Sequence, residues 1–230
     1  MKTIVITGAS RGIGRAIAMR LAQTEIHLVL HGRNSAELAE TQRLCECKGA
    51  TATPVIADIS EGRGIESIAN AVGGSTVAVL VNNAGIALTK PFDEITLDEW
   101  NRILAVNLTA PFYLTKLLSP RMVAGSAIVN ISSGAAYTPF PNQSAYCATK
   151  YGLEGFSECA REELRARMIR LISIYPAATY TDMWRAIPGD WPTEKMLTPE
   201  DVAESVAYVL AQPAQVQVEF LRISNIAGRL

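Results

Sequence analysis

Two side chains, four residues apart, could carry out proton transfer. Tyr146 and Lys150 form the pattern Tyr-x-x-x-Lys, and on a helix this spacing places both side chains on one face. A free tyrosine has a pKa of about 10 and is a poor acid or base at neutral pH. A neighbouring ammonium stabilises the phenolate and lowers the pKa of the tyrosine, so proton transfer becomes feasible. The pattern is short enough to arise by chance, so it needs supporting residues.

Polar residues at the ends of predicted strands could provide that support. Ser133 follows one strand, and the run Asn82-Asn83-Ala84-Gly85 follows another. In open α/β sheets, ligands bind outside the carboxyl ends of the strands, where a hydroxyl can hydrogen-bond a substrate oxygen. Asn107 lies inside a helical stretch, although asparagine is a poor helix former. Taken singly, Ser133 also fits a turn before Gly134, and Asn107 also fits a tolerated helix residue.

A glycine-rich turn near the start of the chain could hold a phosphate group. The run Thr7-Gly8-Ala9-Ser10-Arg11-Gly12-Ile13-Gly14 separates the first predicted strand from the first predicted helix. Glycines at such a turn let backbone N–H groups face a pyrophosphate at the positive end of the helix. The spacing differs from the Gly-x-Gly-x-x-Gly of larger dehydrogenases, and tight packing alone could also require these glycines. The context favours a dinucleotide site.

The end of the second predicted strand indicates which dinucleotide would bind. An NAD site needs a carboxylate there for the ribose 2′-hydroxyl, but the run Leu30-His31-Gly32-Arg33 has none. Arg33 could clamp a 2′-phosphate, and Arg11 could add a second cation. The sequence therefore predicts NADPH or NADP+ over NADH, unless both arginines are simply solvated. Asp58 could accept from the adenine amino group or cap the following helix.

The elements that carry these residues alternate between short apolar strands and longer amphipathic helices. Near-continuous apolar runs are typical of parallel strands covered on both faces, so we predict an α/β fold with a doubly wound parallel sheet. We expect one domain over residues 1–230. Strands are predicted at 3–7, 26–31, 51–57, 77–81, 127–131, 170–175 and 218–223. Helices are predicted at 13–23, 35–48, 64–72, 97–118, 144–167 and 199–211.

The composition limits the classes to which the protein can belong. The chain has 230 residues, of which 49% are hydrophobic and 19% charged, and this apolar content excludes disorder. A net charge of -1 gives no support for a nucleic acid or an anionic membrane as partner. No apolar run approaches the roughly 20 residues of a membrane span, and no signal-peptide pattern opens the chain. The 4 cysteines lack zinc-ligand spacing, so we expect reduced thiols, no metal and a cytoplasmic location.

Together these motifs resemble the short-chain dehydrogenase/reductase family in its single-domain form. The glycine-rich turn, the run 82–85, Asn107 and the set Ser133, Tyr146 and Lys150 occur in the family's order, over nearly the whole chain. The resemblance implies a Rossmann-type sheet of the seven predicted strands, a nicotinamide cofactor and a catalytic tetrad. In that tetrad Tyr146 would protonate a carbonyl oxygen as hydride arrives, and Ser133 would orient that oxygen. Lys150 would hold the nicotinamide ribose, and Asn107 would hold a water in a proton relay.

The resemblance also implies which residues bind the cofactor. The segment after the sixth strand contacts the nicotinamide carboxamide in the family and usually reads Pro-Gly, whereas this chain has Pro176-Ala177. Thr179 stands where valine is common, and Thr181 keeps the usual threonine. The expected cofactor contacts are Gly8, Ser10, Arg11, Gly12, Ile13, Gly14, Arg33, Asp58, Ile59, Asn83, Ala84, Gly85, Tyr146, Lys150, Pro176, Ala177, Thr179 and Thr181.

Three segments are expected to surround the reactive carbon, at 86–92, 135–143 and a lid at 179–197. Their aromatic side chains suit a flat or apolar ketone, a diketone or a pterin side-chain carbonyl. The run 180–184 is similar to bacterial sepiapterin reductase-like members of the family, and Asp190 could grip the guanidine-like edge of a pterin. The expected substrate contacts are Ser133, Tyr137, Tyr146, Trp184, Asp190 and Trp191.

Two other functions remain open from the sequence. A 3-oxoacyl-[acyl-carrier-protein] reductase would need a basic landing patch, for which Arg121, Arg161, Arg165 and Arg167 are candidates. A non-catalytic sensor would bind NADP(H) without turnover. The family resemblance further implies pairing through the long helices, so we expect a homodimer or homotetramer. Such interfaces are poor in charge, which would contribute to the low charged fraction.

Overall fold

The computed structural model describes residues 1–185 and 191–227, and its centre is a single parallel sheet. The strands are β1 (Lys2–Ile6), β2 (Ile26–Gly32), β3 (Thr51–Ile56), β4 (Val77–Asn82), β5 (Ala127–Ile131), β6 (Arg170–Pro176) and β7 (Phe220–Ile223). All 7 strands are parallel, in the order β3-β2-β1-β4-β5-β6-β7, which confirms the predicted fold class. β5 and β6 are buried along their whole length, because helices cover both of their faces.

Helices cover both faces of this sheet. They are α1 (Gly12–Leu21), α2 (Ser35–Glu46), α3 (Gly62–Ala71), α4 (Leu97–Leu104), α5 (Ala110–Leu118), α6 (Ser144–Arg165), α7 (Asp182–Arg185) and α8 (Pro199–Leu210). On one face Ile17 of α1 and Val206 of α8 belong to one buried cluster. On the other face Ile68 of α3 and Leu114 of α5 belong to a second cluster. Among the described helices, none combines the length and apolarity of a membrane span.

The chain changes winding direction between β1 and β4. From β1 it proceeds outward through β2 to β3, and from β4 it proceeds the other way to β7. β1 and β4 are neighbours with Ile6 in register with Val81, so their following loops diverge from adjacent points. Such a switch point opens a crevice at the carboxyl ends of the strands, where ligands of open α/β sheets bind. The glycine-rich turn and the run 82–85 both begin there.

The helical stretch predicted over 97–118 is present, but a π-helical turn separates α4 from α5 within it. Residues Ala105–Thr109 form a π-helical turn between α4 and α5. Asn107 lies inside this turn and is only 1% exposed. A π turn leaves the regular hydrogen-bond ladder and is often found at functional sites. The irregularity therefore coincides with the one residue that seemed out of place in a helix.

Of the predicted lid over 179–197, the structure describes residues 179–185 and 191–197, and these two parts meet at the base of the lid. Thr179 forms a β-bridge with Leu197, and the Tyr180 N–H donates to the Leu197 carbonyl at 2.8 Å. The lid begins with α7 and also contains a 3-10 turn at Thr193–Lys195. Its two ends are thus fixed to each other beside the end of β6.

Candidate active site

Ser133 and Tyr146 meet at the carboxyl edge of the sheet. Ser133 follows β5 and ends up opposite Tyr146, which lies in the first turn of α6. The Ser133 hydroxyl oxygen accepts from the Ala135 N–H at 3.2 Å, and the hydroxyl hydrogen-bonds the Tyr146 phenol. Because the serine oxygen already accepts from the backbone, its proton is available to the tyrosine oxygen. The two hydroxyls therefore lie next to each other at this edge of the sheet.

Lys150 lies one helical turn beyond Tyr146 and is 5% exposed. Its Nζ donates to the Ile131 carbonyl at the end of β5, at 3.0 Å. The same Nζ lies 5.7 Å from the centre of the Tyr146 ring. The predicted shared face of Tyr146 and Lys150 is therefore present, and the last carbonyl of β5 anchors the lysine.

Burial shifts the pKa values of both groups. Burial raises the pKa of Tyr146, and the hydrogen bond from Ser133 lowers it by less. This net direction is opposite to the one expected from a neighbouring ammonium, because desolvation of the phenolate outweighs the other influences. Burial lowers the pKa of Lys150 to about 8. At neutral pH the tyrosine therefore holds its proton, and the lysine is still mainly charged.

Asn107 ties the loop after β4 to α6. Its Oδ1 accepts from the Ile86 N–H at 2.9 Å, and its Nδ2 donates to the Ile86 carbonyl at 2.9 Å. Nδ2 also donates to the Thr149 hydroxyl at 3.2 Å, next to Lys150 in sequence. The π turn orients the amide for these contacts. Asn107 is thereby brought to the site, where it fixes the spacing between the loop after β4 and α6.

The glycine-rich turn leaves the first N–H groups of α1 available to a ligand. Gly8 and Gly12 have φ angles of +67° and +53°, a region that favours glycine. A Cβ on Gly14 would lie 2.1 Å from the Gly8 carbonyl oxygen, so the turn tolerates no side chain there. No side chain caps α1, α3, α5 or α6, whereas Asn34, Thr96 and Thr198 cap α2, α4 and α8, and α1 differs from the other uncapped helices in following the glycine-rich turn. An uncapped helix start built this way fits an anionic group such as a pyrophosphate.

The run 82–85 holds the glycine-rich turn in place. The Asn83 side chain donates to the carbonyls of Thr7 and Gly8, at 2.9 and 3.1 Å. In return the Thr7 hydroxyl accepts from the N–H groups of Asn83 and Ala84, each at 3.0 Å. A Cβ on Gly85 would lie 3.5 Å from the Asn107 Oδ1. The run 82–85 thus connects the glycine-rich turn to the part of the site that contains Asn107.

The two arginines predicted to hold a 2′-phosphate differ in their surroundings. Arg11 pairs with Glu37 at 3.6 Å and with Asp182 of the lid at 3.3 Å. Arg33 is exposed and forms no ion pair with any residue in 1–185 or 191–227. Thr181 of the lid lies close to the glycine-rich turn. A Cβ placed on Gly12 would be 3.4 Å from the Thr181 methyl carbon. The lid therefore starts directly against the glycine-rich turn.

Asp58 is engaged by its own surroundings. One carboxylate oxygen accepts from the Ser60 N–H at 2.9 Å, and the other accepts from Arg102 at 2.9 Å. These bonds hold the pKa of Asp58 well below its usual range. Ser60 precedes α3, whose start has no side-chain cap, so Asp58 does not cap that helix, and contact with an adenine stays a prediction.

Sequence reasoning missed His31, which is 2% exposed at the end of β2. Its Nδ1 accepts from the Gly8 N–H at 3.4 Å, and its Nε2 lies 3.1 Å from the Ala57 carbonyl. Burial lowers the pKa of His31, so the neutral ring joins the ends of three strands under the glycine-rich turn. The available signal was a histidine at the carboxyl end of a strand that is apolar apart from His27 at its start.

Other expected cofactor contacts line the same edge or support it. Ile59 is buried in the cluster that contains Ile68, and Ile13 is half-buried against the cluster that contains Ile17. The Ser10 carbonyl accepts from the Arg15 guanidinium. Pro176 ends β6, and the following Ala177 N–H donates to the Ile223 carbonyl at 2.9 Å. The Thr179 hydroxyl donates back to the Ala177 carbonyl at 2.9 Å.

Three of the expected substrate contacts are aromatic residues that the structure describes, namely Tyr137, Trp184 and Trp191. Trp184 and Trp191 meet edge to face, with ring centres 5.0 Å apart across the lid. Tyr137 follows the 3-10 turn Gly134–Ala136, which Ser133 caps. Asp190, the other expected substrate contact, lies outside the described residues.

An open groove lies beside the start of α6 and has a volume of about 600 Å³. Sequence reasoning reached only its edge, since segment 86–92 ends there. The groove is lined by Phe92, Ile95, Thr96, Leu97, Trp100 and Ser144.

A doubly wound sheet with a phosphate turn and a Ser-Tyr-Lys cluster at one edge defines a dinucleotide-dependent oxidoreductase. A family model described as short chain dehydrogenase matches residues 2–190, and the chain belongs to this family. A sepiapterin reductase of Chlorobaculum tepidum is 31% identical over 236 residues, which cover 98% of this chain and 96% of the relative.

Solved structures give the same relationship. A metagenomic short-chain oxidoreductase in complex with NADP has a TM-score of 0.83 and 32% identity, covering 96% of both chains. The landomycin C-6 ketoreductase LanV, with bound NADP and rabelomycin, has a TM-score of 0.85 and 28% identity. That alignment covers 97% of this chain and 95% of the ketoreductase.

Proposed function

We propose that this oxidoreductase reduces a carbonyl to an alcohol with NADPH, and that Tyr146 is the proton donor. The observation that carries the proposal is the Tyr146 phenol, which is hydrogen-bonded by Ser133 and lies 5.7 Å, by its ring centre, from the Lys150 ammonium. Its raised pKa suits the reductive direction, because a proton donor must hold its proton at working pH.

NADPH would supply the hydride, and the residues of this chain would handle the carbonyl oxygen. Ser133 and Tyr146 would both donate to that oxygen, which fixes its position and stabilises the negative charge that develops on it. Tyr146 would then release its proton to the oxygen. Lys150 would stabilise the phenolate left behind, and Asn107 would keep the catalytic helix at its distance from the loop after β4.

The uncapped start of α1 suits the pyrophosphate that NADPH and NADH share. Arg33 favours NADPH, because it offers a guanidinium without a competing carboxylate among the described residues. The solved relatives with bound NADP agree with this choice. Arg11 would join Arg33 at the 2′-phosphate after exchanging one of its present carboxylate partners.

For the substrate we propose a flat or apolar ketone, a diketone or the side-chain carbonyl of a pterin. The aromatic wall of Tyr137, Trp184 and Trp191 suits such compounds. Similarity to a sepiapterin reductase and to a ketoreductase with bound rabelomycin supports a planar substrate.

The alternative of an acyl-carrier-protein substrate receives less support. Arg161 is 6% exposed and donates to the Leu171 carbonyl, so it is not available on the surface. Arg121 donates to the carbonyls at the end of α3, and Arg167 donates to the Ser119 carbonyl. Arg165 pairs with Glu162 at 2.6 Å. The four arginines proposed as a landing patch therefore already have other partners.

The function is tested with a panel of NADPH-oxidation assays that includes sepiapterin, diketones, quinones and acetoacetyl thioesters. We expect turnover of a planar carbonyl compound. Tyr146→Phe should reduce kcat by about a thousandfold and change NADPH binding little. Tyr113→Phe is a matched control, because that exposed phenol only bonds Glu66. Unchanged turnover in Tyr146→Phe would reject the mechanism. Tight NADPH binding without oxidation of any carbonyl would instead favour a sensor.

We also propose that the chain forms a dimer or tetramer through α5 and α6. Of the apolar residues on these helices, Leu114 and Leu153 are buried, whereas Phe112 is 45% and Tyr151 is 48% exposed. Exposed aromatic side chains on adjacent helices suit a protein interface. Sedimentation that shows only a 24.8 kDa species would contradict this assembly.

A further inference from the structure

Arg222 on the edge strand β7 is surrounded by aromatic rings. Its guanidinium carbon lies 4.0 Å from the ring centre of Tyr137, 5.8 Å from that of Tyr175 and 5.6 Å from that of Phe220. All three separations are within the range of cation–π attraction. Within residues 1–185 and 191–227 Arg222 forms no ion pair, so the aromatic faces are its partners.

The sheet register builds this arrangement. Tyr175 of β6 is the register partner of Arg222, which places the two side chains side by side on one face. Phe220 lies two residues earlier on β7 and therefore points to the same face. Tyr175 packs edge to face with both Tyr137 and Phe220. The distances between ring centres are 5.6 Å and 6.2 Å. Tyr137 is the one ring that comes from outside the sheet.

Tyr137 connects this cluster to the catalytic serine. The 3-10 turn Gly134–Ala136 begins at Ser133, and the Tyr137 N–H closes it by donating to the Gly134 carbonyl at 3.2 Å. The Tyr137 hydroxyl lies 3.7 Å from the position of a Cβ on Gly134. The ring thus extends from Arg222 back to the residue that follows Ser133.

We propose that Arg222 is a positioning residue that sets carbonyl selectivity by holding the Tyr137 ring as one wall of the substrate site. This inference rests on the proposed function, since it assigns a specificity role within the same site. A planar guanidinium can stack on the ring and keep its charge over the face, whereas a lysine ammonium offers only the charge. Without the stack, Tyr137 would sample other rotamers, and a planar substrate would lose a fixed surface.

The experiment is a double-mutant cycle on ketone reduction, with Arg222→Met, Tyr137→Leu and the combined variant. We expect Arg222→Met to raise the KM for a planar ketone about fivefold, with the KM for NADPH changed by less than about twofold. In the Tyr137→Leu background, Arg222→Met should add less than about a twofold change, because its effect passes through the missing ring. Arg222→Lys should fall between wild type and Arg222→Met.

Arg20→Met is the matched control, because Arg20 is an exposed arginine that pairs with Glu204 far from the substrate side. Melting temperatures establish that each variant is folded, and Arg222→Lys carries the test if Arg222→Met does not fold. Additive losses in the combined variant, or a loss that falls on NADPH instead of the ketone, would overturn the inference. A wild-type protein that reduces no carbonyl would overturn the proposed function and this role with it. A reducing wild type with additive variants would overturn only this role.

Discussion

At the proposed catalytic end of the site Lys150 is 5% exposed, whereas at the proposed phosphate end the Arg11 side chain is 56% exposed. Lys150 donates to a backbone carbonyl and has no carboxylate partner among the described residues, so burial alone shifts its pKa. Arg11 pairs with two carboxylates near the surface, where each pair is worth little. Burial therefore changes the pKa of Lys150. Exposure leaves the Arg11 guanidinium able to exchange a carboxylate partner for another anion.

This contrast matches the two tasks. Proton transfer needs groups whose pKa values are set in advance, which requires a dry environment and a fixed geometry. A dinucleotide phosphate has to enter and leave, which requires cations that remain close to water. Disturbing the buried end should therefore have large effects on turnover, and disturbing the exposed end should have small effects on cofactor affinity.

The largest effect is expected when the buried charge is removed. Lys150→Met should reduce kcat by about a hundredfold to a thousandfold, since the phenolate of Tyr146 would lose its nearest cation. Steady-state assays measure this loss, and Lys48→Met, an exposed lysine after α2, is the control. A kcat within tenfold of wild type would show that burial of Lys150 has no catalytic purpose.

The second effect is a pH dependence that comes from the same lysine. The pKa of Lys150 is lowered to about 8, so its charge is present below that pH and is lost as the pH rises through it. Because the pKa of Tyr146 is raised, the tyrosine stays protonated over the same interval. We expect kcat/KM for the ketone to be constant near pH 6–7 and about tenfold lower near pH 9. Arginine keeps its charge over this range, so Lys150→Arg should not show the decline. A wild-type profile that stays flat to pH 9 would contradict the assignment of the decline to Lys150.

The buried pair Tyr146 and Lys150 also shows which features of the site are predictable from the sequence and which are not. The pattern Tyr-x-x-x-Lys and the strand ends locate the buried pair, because helix and sheet periodicity fix which residues share a face. The direction of the Tyr146 pKa is not predictable in the same way, since the ammonium is visible in the sequence and the burial is not. The glycine-rich turn is predictable because its glycines and its place between β1 and α1 are visible in the sequence, although the contacts with Asn83 and His31 that hold it are not.

Long-range contacts explain the remaining differences. Residues 105–109 have the composition of an ordinary helix, and their π turn is understandable only with Ile86 beside Asn107. The role of His31 depends on three strand ends that are distant in sequence. The aromatic surroundings of Arg222 depend on the register between β6 and β7. Local propensity predicts the elements, but these contacts arise only after the elements have packed.

A third and smaller effect is expected at the exposed end. Arg33→Ala should raise the KM for NADPH about fivefold to tenfold and leave the KM for NADH unchanged, because only NADPH carries the 2′-phosphate. The difference should shrink at high salt, since an exposed charge pair is screened. Arg63→Ala, an exposed arginine of α3, is the control. An equal change for both cofactors would mean that Arg33 does not read the 2′-phosphate.

The smallest effect tests whether Arg11 exchanges partners. Asp182 on α7 holds the Arg11 guanidinium at 3.3 Å, so a cofactor phosphate has to compete with this carboxylate. Asp182→Asn removes the competing charge, and the KM for NADPH should fall by about twofold while the KM for NADH stays constant. Glu204→Gln, which removes the exposed partner of Arg20, should change neither value. If Asp182→Asn weakens NADPH binding instead, the pair holds the lid against the glycine-rich turn, and the exposed end is as preorganised as the buried one.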